Sequence, residues 1–339
     1  MPKRDDFIAV ADAPAIAGLR FRHFRGECDF PLMAQVFAAN AEADGVEALM
    51  TVEDIANTFA HPVNTDPYRD MIFAQIDDQV VGVAHAYWSV EDDSGQYLYQ
   101  FFGCLMPNWR RQGIGRAMLL WIENRLREIA IAHPADRCKS FESCVLQAEL
   151  GKIKMLQKAG YRPVRYFHEM LRPSMDDIPV FPLPDGLEIR PVVAEHYRLI
   201  WEAENEALRD HWGHLRRTEE DYQAWLNCKA VFQPHLWQVA WDVASGQIAG
   251  QVRPFIIDDE NEKFHRKRGY TEFISVRRPW RKRGLARALI AHSLHAQRAL
   301  GMTESALGVD SENLSGAVRL YESCGFRLVK RNTIYRKPL

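Results

Sequence analysis

The sequence predicts a mixed α/β protein built from two tandem copies of one unit, and three observations carry that expectation. Met106–Leu119 (MPNWRRQGIGRAML) and Ile274–Leu289 (ISVRRPWRKRGLARAL) each run from an apolar strand, through a proline and a basic glycine loop, into a helix. Flanking positions repeat at nearly constant separation: Arg20 with Arg190, Gly113 with Gly284, Gly160 with Gly325. In the last strands Tyr161, Val164, Arg172 and Pro173 match Phe326, Val329, Lys337 and Pro338. Between the copies, residues 172–186 (RPSMDDIPVFPLPDG) hold four prolines and follow neither a helical nor a strand period, as a linker does. A chain of 339 residues exceeds one average domain. The division expected is therefore 1–175 and 184–339.

The first copy opens with a short strand near Gly18-Leu-Arg-Phe. Residues 31–43 and 51–60 read as helices, with Met33, Val36 and Phe37 on one face and Thr51 with Asp54 resembling a capping box. A hairpin follows, Met71–Ile76 and Val80–Tyr87 about a polar turn at Asp77-Asp78-Gln79, and then the strand Tyr97–Leu105. The helix after the first glycine loop carries an apolar stripe at Ile114, Ala117, Met118, Trp121 and Ile122. A strand near Cys144–Leu146, a helix near Leu150–Ala159 capped by Gly160, and a strand Tyr161–Leu171 close the copy. The second copy repeats the plan: Leu187–Pro191, helices near Ala194–Leu208 and Thr218–Cys228, a hairpin Leu236–Asp242 and Ile248–Ile256, a charged loop at 258–269, then the strand, glycine loop and helix.

Composition removes several function classes. An apolar fraction of 47% is enough for ordinary cores. The net charge of −2 gives no general attraction to nucleic acid or anionic membrane, so the basic loops are local devices. Charges interrupt every apolar run before membrane-spanning length, and Asp5, Asp6 and Asp12 break the apolar stretch a signal peptide needs, so a cytoplasmic protein is expected. Cys28, Cys104, Cys138, Cys144, Cys228 and Cys324 are scattered without metal spacing, and no metal is expected. Neither loop continues into Gly-Lys-Ser/Thr, which argues against nucleotide-dependent phosphotransfer.

The loops themselves suit phosphate. In Arg281-Lys282-Arg283-Gly284-Leu285-Ala286, Gly284 lets the backbone approach a ligand and small Ala286 keeps the first helical turn accessible. Unpaired N–H groups, the helix dipole and three cations then favour an anion. On the residues alone that anion is CoA or a nucleotide.

The Arg-x-x-Gly-x-Gly/Ala pattern resembles motif A of the GNAT acyltransferase superfamily. It stands here twice, as Arg110-Arg111-Gln112-Gly113-Ile114-Gly115 and as Arg281–Ala286. Asn313 with Ala317…Tyr321…Gly325-Phe326 is similar to the family's later motif. The resemblance covers essentially the whole chain, in the tandem layout of the mycothiol synthase type. It implies two GNAT folds, each a mixed, mostly antiparallel sheet flanked by helices. It also implies acetyl-CoA as co-substrate, its pyrophosphate in the glycine loop and its pantetheine beside a splayed strand. Ile274 and Val276 would offer backbone N–H groups there, Asn313 a further contact, and Leu105, Arg110, Arg111, Gly113 and Gly115 the counterpart site in the first copy.

Acetylation by direct attack needs a deprotonated amine, donors for the developing oxyanion and a proton for the departing thiolate. Tyr321 lies at helical spacing with Ala317, Leu320 and Cys324, and the resemblance assigns it the general acid. Glu272, on the strand before the second loop, is the candidate base. With Gly160 aligned to Gly325, the first copy has Leu156 for Tyr321 and Ala148 for Asn313, so it reads as degenerate: a structural half, or one that binds CoA without turnover. Asp210, His211, Trp212 and His214 are candidates for acceptor contact, the variable loops 205–217 and 257–270 for the acceptor pocket. The expectation is an N-acetyltransferase acting on a small-molecule or peptide amine through the second copy, with a non-catalytic CoA-binding sensor or scaffold as the rival. Oligomeric state is not read from the sequence.

Overall fold

The computed structural model describes residues 7–92, 94–215, 217–312 and 316–339. The chain forms two compact units that do not follow it linearly. One is Met1–Val164 with Thr218–Ala224 and Thr333–Leu339; the other is Arg165–Arg217 with Trp225–Asn332.

In the first unit the elements run β1 (Phe7–Ile8), β2 (Leu19–Arg22), α1 (Phe30–Ala43), α2 (Val52–Ala60), α3 (Pro67–Asp70), β3 (Met71–Ile76), β4 (Gln79–Val90), β5 (Tyr97–Leu105), α4 (Ile114–Ala130), β6 (Lys139–Leu146) and α5 (Leu150–Lys158). Strands β1 to β6 lie side by side in chain order, antiparallel except for the parallel pair β5 and β6. The expected capping box starts α2: Asp54 N–H donates to Thr51 Oγ1 at 3.1 Å and Thr51 N–H to Asp54 Oδ2 at 3.0 Å. The stripe expected on α4 is its buried face. Ile114, Ala117, Met118 and Ile122 pack on Ile72, Ala74, Ala84 and Tyr99, each large apolar side chain stabilising by roughly 1.5–3 kcal/mol.

β7 (Arg162–Arg172) leads into the second unit, followed by β8 (Leu187–Ile189), α6 (Tyr197–Leu208), α7 (Glu219–Asn227), β9 (Gln238–Asp242), β10 (Ile248–Val252), β11 (Phe255–Ile256), α8 (Asp258–Lys263), β12 (Arg268–Tyr270), β13 (Ser275–Val276), α9 (Leu285–Ala299), β14 (Glu304–Asp310), α10 (Ala317–Ser323) and β15 (Arg327–Pro338). Of α7, the part up to Ala224 belongs to the first unit. Two strand groups make the second unit's layer. One is β13-β10-β9-β8, all antiparallel; the other joins β7, β14, β12 and β11, with β12 and β14 parallel. Leu285, Leu289, Ile290 and Leu294 of α9 pack against Ala240, Ala249, Leu307 and Val309. The segment expected to be a charged loop, 258–269, contains α8 and the start of β12. Past Arg172, the end of β7, the proline-rich linker has no helix or strand, yet it buries Met175 and Ile178 in the second core.

The closing strands are exchanged. From Arg165 onward β7 belongs to the second unit, where Phe167–Arg172 pair with Asp310–Ser305 of β14. Arg165 Nε and Nη2 hold both oxygens of Asp310 at 2.8 and 2.7 Å. Arg172 Nη1 donates to Cys324 C=O at 2.6 Å. Gly325 is needed for that approach, because a Cβ there would lie 1.8 Å from Arg172 Nη1. Reciprocally, the end of β15 runs beside β6. Arg336 bridges Glu142 and Glu91 at 2.6 Å each, and Lys337 Nζ meets both oxygens of Glu123 at 2.9 and 3.0 Å. These carboxylates are largely buried, so a division at residue 175 would take Arg336 from Glu91 and Glu142 and leave Glu123 with Arg127 alone.

Deleting Thr333–Leu339 is therefore expected to loosen the unit at the other end of the chain. Amide exchange in β6 should rise sharply in the truncated protein, and protection equal to the full chain would refute the exchange.

Candidate active site

The two glycine loops have one conformation. Arg110 and Arg281 have φ −70° and −69°, Arg111 and Lys282 are left-handed at 66° and 61°, and Gly113 and Gly284 at 92° and 89° cap α4 and α9. Mixing left- and right-handed residues turns successive N–H groups toward one concavity, which together with the helix start attracts an anion. Burial along 110–119 matches that along 281–290 position for position.

Their surroundings differ. A Cβ on Gly284 would meet nothing within 4 Å, whereas one on Gly113 would sit 3.3 Å from Pro14. Asp12 further places a carboxylate 3.7 Å from Arg116 in the first turn of α4. The second cradle is open, and the first is crowded by the chain's own N-terminal segment.

Arg110 and Arg281 do not offer their guanidinium groups to a ligand, contrary to the expectation from sequence. Arg110 binds both oxygens of Asp44 (2.7 and 2.8 Å), Asn40 (2.6 Å) and Leu105 C=O (3.2 Å). Arg281 binds Asp210 (2.7 Å), Ala207 C=O (2.8 Å) and Val276 C=O (2.9 Å). Each brace ties the loop to the C-terminal end of a helix far back in the chain, α1 or α6, and to the strand before the loop. Asp210 is thereby held well below the usual carboxylate range by Arg278 and Arg281, and it serves the brace. Arg283 donates to Asp185 C=O at 3.1 Å, and Lys282 and Arg111 are exposed. Leu285 is buried in the core and Ala286 and Gly115 are half-buried, so what these positions present to an anion is backbone.

Beside the second loop two strands separate. Parallel pairing of β12 with β14 ends at Tyr270 opposite Ala306, with Thr271 N–H on Ala306 C=O at 2.9 Å. The chain then crosses to β10 as β13, an end strand. Arg277 N–H bonds Ala249 C=O at 3.0 Å, so by antiparallel alternation Val276 turns its N–H the other way, into the gap. Ile274, two residues earlier, is half-buried. The crossing contains a bulge: Arg253 N–H donates to Glu272 C=O at 2.9 Å while Gln251 faces Ser275. Val252 thus stands opposite Phe273 and Ile274 together, and Phe273 is left-handed at φ 53°. Such a conformation costs an aromatic residue about 1–3 kcal/mol. The bulge also ends the strand alternation that would have put Glu272, Ile274 and Val276 on one face. In the first copy β5 and β6 part at Gln100 opposite Glu142, but β5 pairs with β4 unbroken from Tyr97 to Leu105.

Glu272 lies at this gap, near enough for its charge to act on Tyr321. Glu272 Oε1 accepts the N–H of Gly308, on the freed edge of β14, at 2.6 Å. Burial pushes its carboxyl up to about 8, against the pull of that hydrogen bond and with help from the charge of Glu169. Tyr321 is buried beside Phe326, and its hydroxyl has no hydrogen-bond partner among the described residues. Burial first, and the nearby Glu272 charge second, raise the phenol well above its ordinary range, so it keeps its proton at any physiological pH. In the first unit the matching Leu156 is a core residue. Burial and then the charge of Arg281 lower the His211 imidazole from its ordinary value, while Trp212 packs under the guanidinium of Arg165. Asn313 lies outside the described residues.

Two features were not anticipated from sequence. Glu169 reaches Glu272 from β7, the strand that sequence order assigns to the other copy, where it faces Gly308. Arg253, wholly buried behind the bulge, is the other.

The acetyltransferase (GNAT) family profile matches residues 36–161 and 196–326. The chain belongs to the GNAT acetyltransferase family. It is 30% identical over 247 residues to the mycothiol acetyltransferase of Thermobifida fusca, across 68% of this chain and 71% of that one. The GNAT fold is shared with the GCN5-related N-acetyltransferase of Sphaerobacter thermophilus (TM-score 0.69, 24% identity, 94% and 95% of the two chains). A tandem GNAT protein from the clavulanic acid biosynthesis pathway has the same layout (TM-score 0.66, 15% identity, 94% and 98%). Two GNAT repeats, acetyltransferase chemistry and acetyl-CoA as acyl donor follow from this membership. No described helix is long and apolar enough to cross a membrane.

Glu272 binds its proton more tightly folded than unfolded, so unfolding releases a proton between about pH 4.5 and 8. Stability should fall as pH rises through that window. Urea titrations at several pH values should give a flatter dependence for Glu272→Gln; equal slopes would place the Glu272 titration in the ordinary range.

Proposed function

We propose that the chain transfers acetyl from acetyl-CoA to an amine of a small molecule or peptide by direct attack, and that the second unit does the chemistry. The observation that carries this reading is the coincidence, in that unit alone, of an open glycine cradle, a bulged splay, and Glu272 beside Tyr321. The backbone N–H groups about Gly284–Ala286 would hold the pyrophosphate, with Lys282 nearby in charge. Val276 N–H, and Ile274 N–H beside the bulge, would face the thioester carbonyl and steady its developing negative charge. Glu272, in its ionised form, takes the proton that the attacking nitrogen loses as the C–N bond forms. Tyr321 gives its proton to the sulfur as the C–S bond breaks, and the transferred protons return through solvent. Because a thiolate is a fair leaving group, the acid contributes less than the base. The relatives named mycothiol acetyltransferase support a small amine-bearing acceptor.

The first unit reads as structural. Its loop has the right backbone, but Pro14 and Asp12 crowd it, no bulge interrupts β5, and Phe101 and Leu156 stand where the second unit has Glu272 and Tyr321.

Calorimetry with acetyl-CoA should give one molecule bound per chain, and Gly284→Asp should abolish it by clash and repulsion. Retained binding in that variant would move the site elsewhere. Thiol release from acetyl-CoA against a panel of amines should find turnover that Tyr321→Phe lowers about 10–100-fold with acetyl-CoA affinity unchanged. Binding without thiol release for any amine would favour a sensor over an enzyme.

A further inference from the structure

Phe273 holds a backbone conformation that L-residues avoid, directly after Glu272, and something must keep it there. Its ring lies 4.5 Å from the guanidinium carbon of Arg253. Arg253 is 1% exposed, and it donates its own backbone N–H to Glu272 C=O at 2.9 Å. Its Nη2 meets Glu204 Oε1 at 2.5 Å, and Glu204, equally buried, takes Arg217 Nη1 on its other oxygen at 2.9 Å. Arg217 in turn packs 4.8 Å over Trp201.

The remaining Arg253 donors, Nε and Nη1, have no hydrogen-bond partner among the described residues. Instead the guanidinium sits between Trp225 at 5.1 Å, Trp237 at 5.4 Å and Phe273. Aromatic faces attract a desolvated cation, so the two unpaired N–H groups are compensated only while the rings stay in place. One of those rings belongs to the bulge. If Phe273 left its left-handed well, Arg253 would lose a face of its cage. The buried charge and the bulge are therefore coupled.

The internal repeat supplies a control. In the first copy His85, counted from the matched glycines Gly82 and Gly250, stands in the place of Arg253, and the ladder there is unbroken. Ala38 stands where the helix register puts Glu204, judged from the matched braces Arg110–Asp44 and Arg281–Asp210. The copy without the arginine–glutamate pair is the copy without the bulge.

We propose that Arg253, anchored by Glu204, is a positioning residue for acyl transfer: it clamps Phe273 in the left-handed bulge and so fixes the Glu272 carboxyl at the splay. The role deepens the reading of Glu272 as proton acceptor and rests on it for its consequence in turnover. Without the clamp the extra residue can relax into the ladder. A one-residue slip would turn Glu272 out of its crowded place toward solvent.

The test follows the carboxyl itself by 13C NMR of glutamate-labelled protein, with Glu272→Gln identifying the resonance. In the wild type it should titrate near the value of about 8 that its burial imposes. In Arg253→Met, which leaves Glu204 paired with Arg217, it should titrate at least one unit lower. In Phe273→Gly, which permits the bulge but offers no ring, it should do the same. Phe273→Trp should restore the wild-type titration. Acetyl-CoA affinity by calorimetry should stay within about threefold, while thiol release with the best amine of the panel falls about tenfold or more. A Glu272 titration unchanged in folded Phe273→Gly and Arg253→Met would overturn the clamp. A titration that moves as expected, beside a wild-type pH–rate profile that ignores it, would sustain the clamp and remove Glu272 as base.

Discussion

Two parallel strands that stay paired for only three residues shape the second unit. Once β12 leaves β14, backbone donors on both edges lose their partners, and a buried edge cannot leave donors unmet without cost. The protein satisfies them unequally. On β14 the Gly308 N–H is taken by the side chain of Glu272, while the edge of β13 keeps its N–H groups directed into the gap. An extended acyl chain could add to that edge as a strand does. The same gap desolvates Glu272, brings the Glu169 charge near it and leaves the Tyr321 hydroxyl without a partner among the described residues. The proposed acid, base and amide donors are consequences of one interrupted ladder.

Much of this was legible in the sequence, and the reason is local. A proline, a basic loop and an apolar stripe specify strand, turn and helix within fifteen residues or so, and doing it twice at matched spacing identifies the duplication. The Thr51–Asp54 cap and the α4 stripe are equally short-range. Glu272 and Tyr321 could be singled out because each sits, relative to such a loop or helix, at a place that the GNAT resemblance marks.

What stayed hidden depends on long-range pairing. The bulge turns on whether one residue or two oppose Val252, and no periodicity records that. Arg110 and Arg281 look like phosphate ligands until the helices carrying Asp44 and Asp210 are in place to bind them. Glu169 was assigned to the wrong copy because sequence order and spatial order diverge at β7. Arg253, in an apolar hairpin, carries no pattern of its own. Its meaning comes from Phe273, twenty residues on.

The exchange of closing strands has a consequence for synthesis. The edge of β6 is complete when residue 146 has been made, but its neighbour in β15 begins to arrive only with Thr333. At ordinary elongation rates that is a wait of about 10–40 s. During it the first sheet presents an unpaired edge, Glu142 lacks Arg336, and Glu123 has Arg127 without Lys337. Such an edge can capture a strand from another nascent chain, whose matching segment is equally free. Domain-swapped pairs on crowded polysomes, rather than misfolded monomers, are the characteristic error this topology invites.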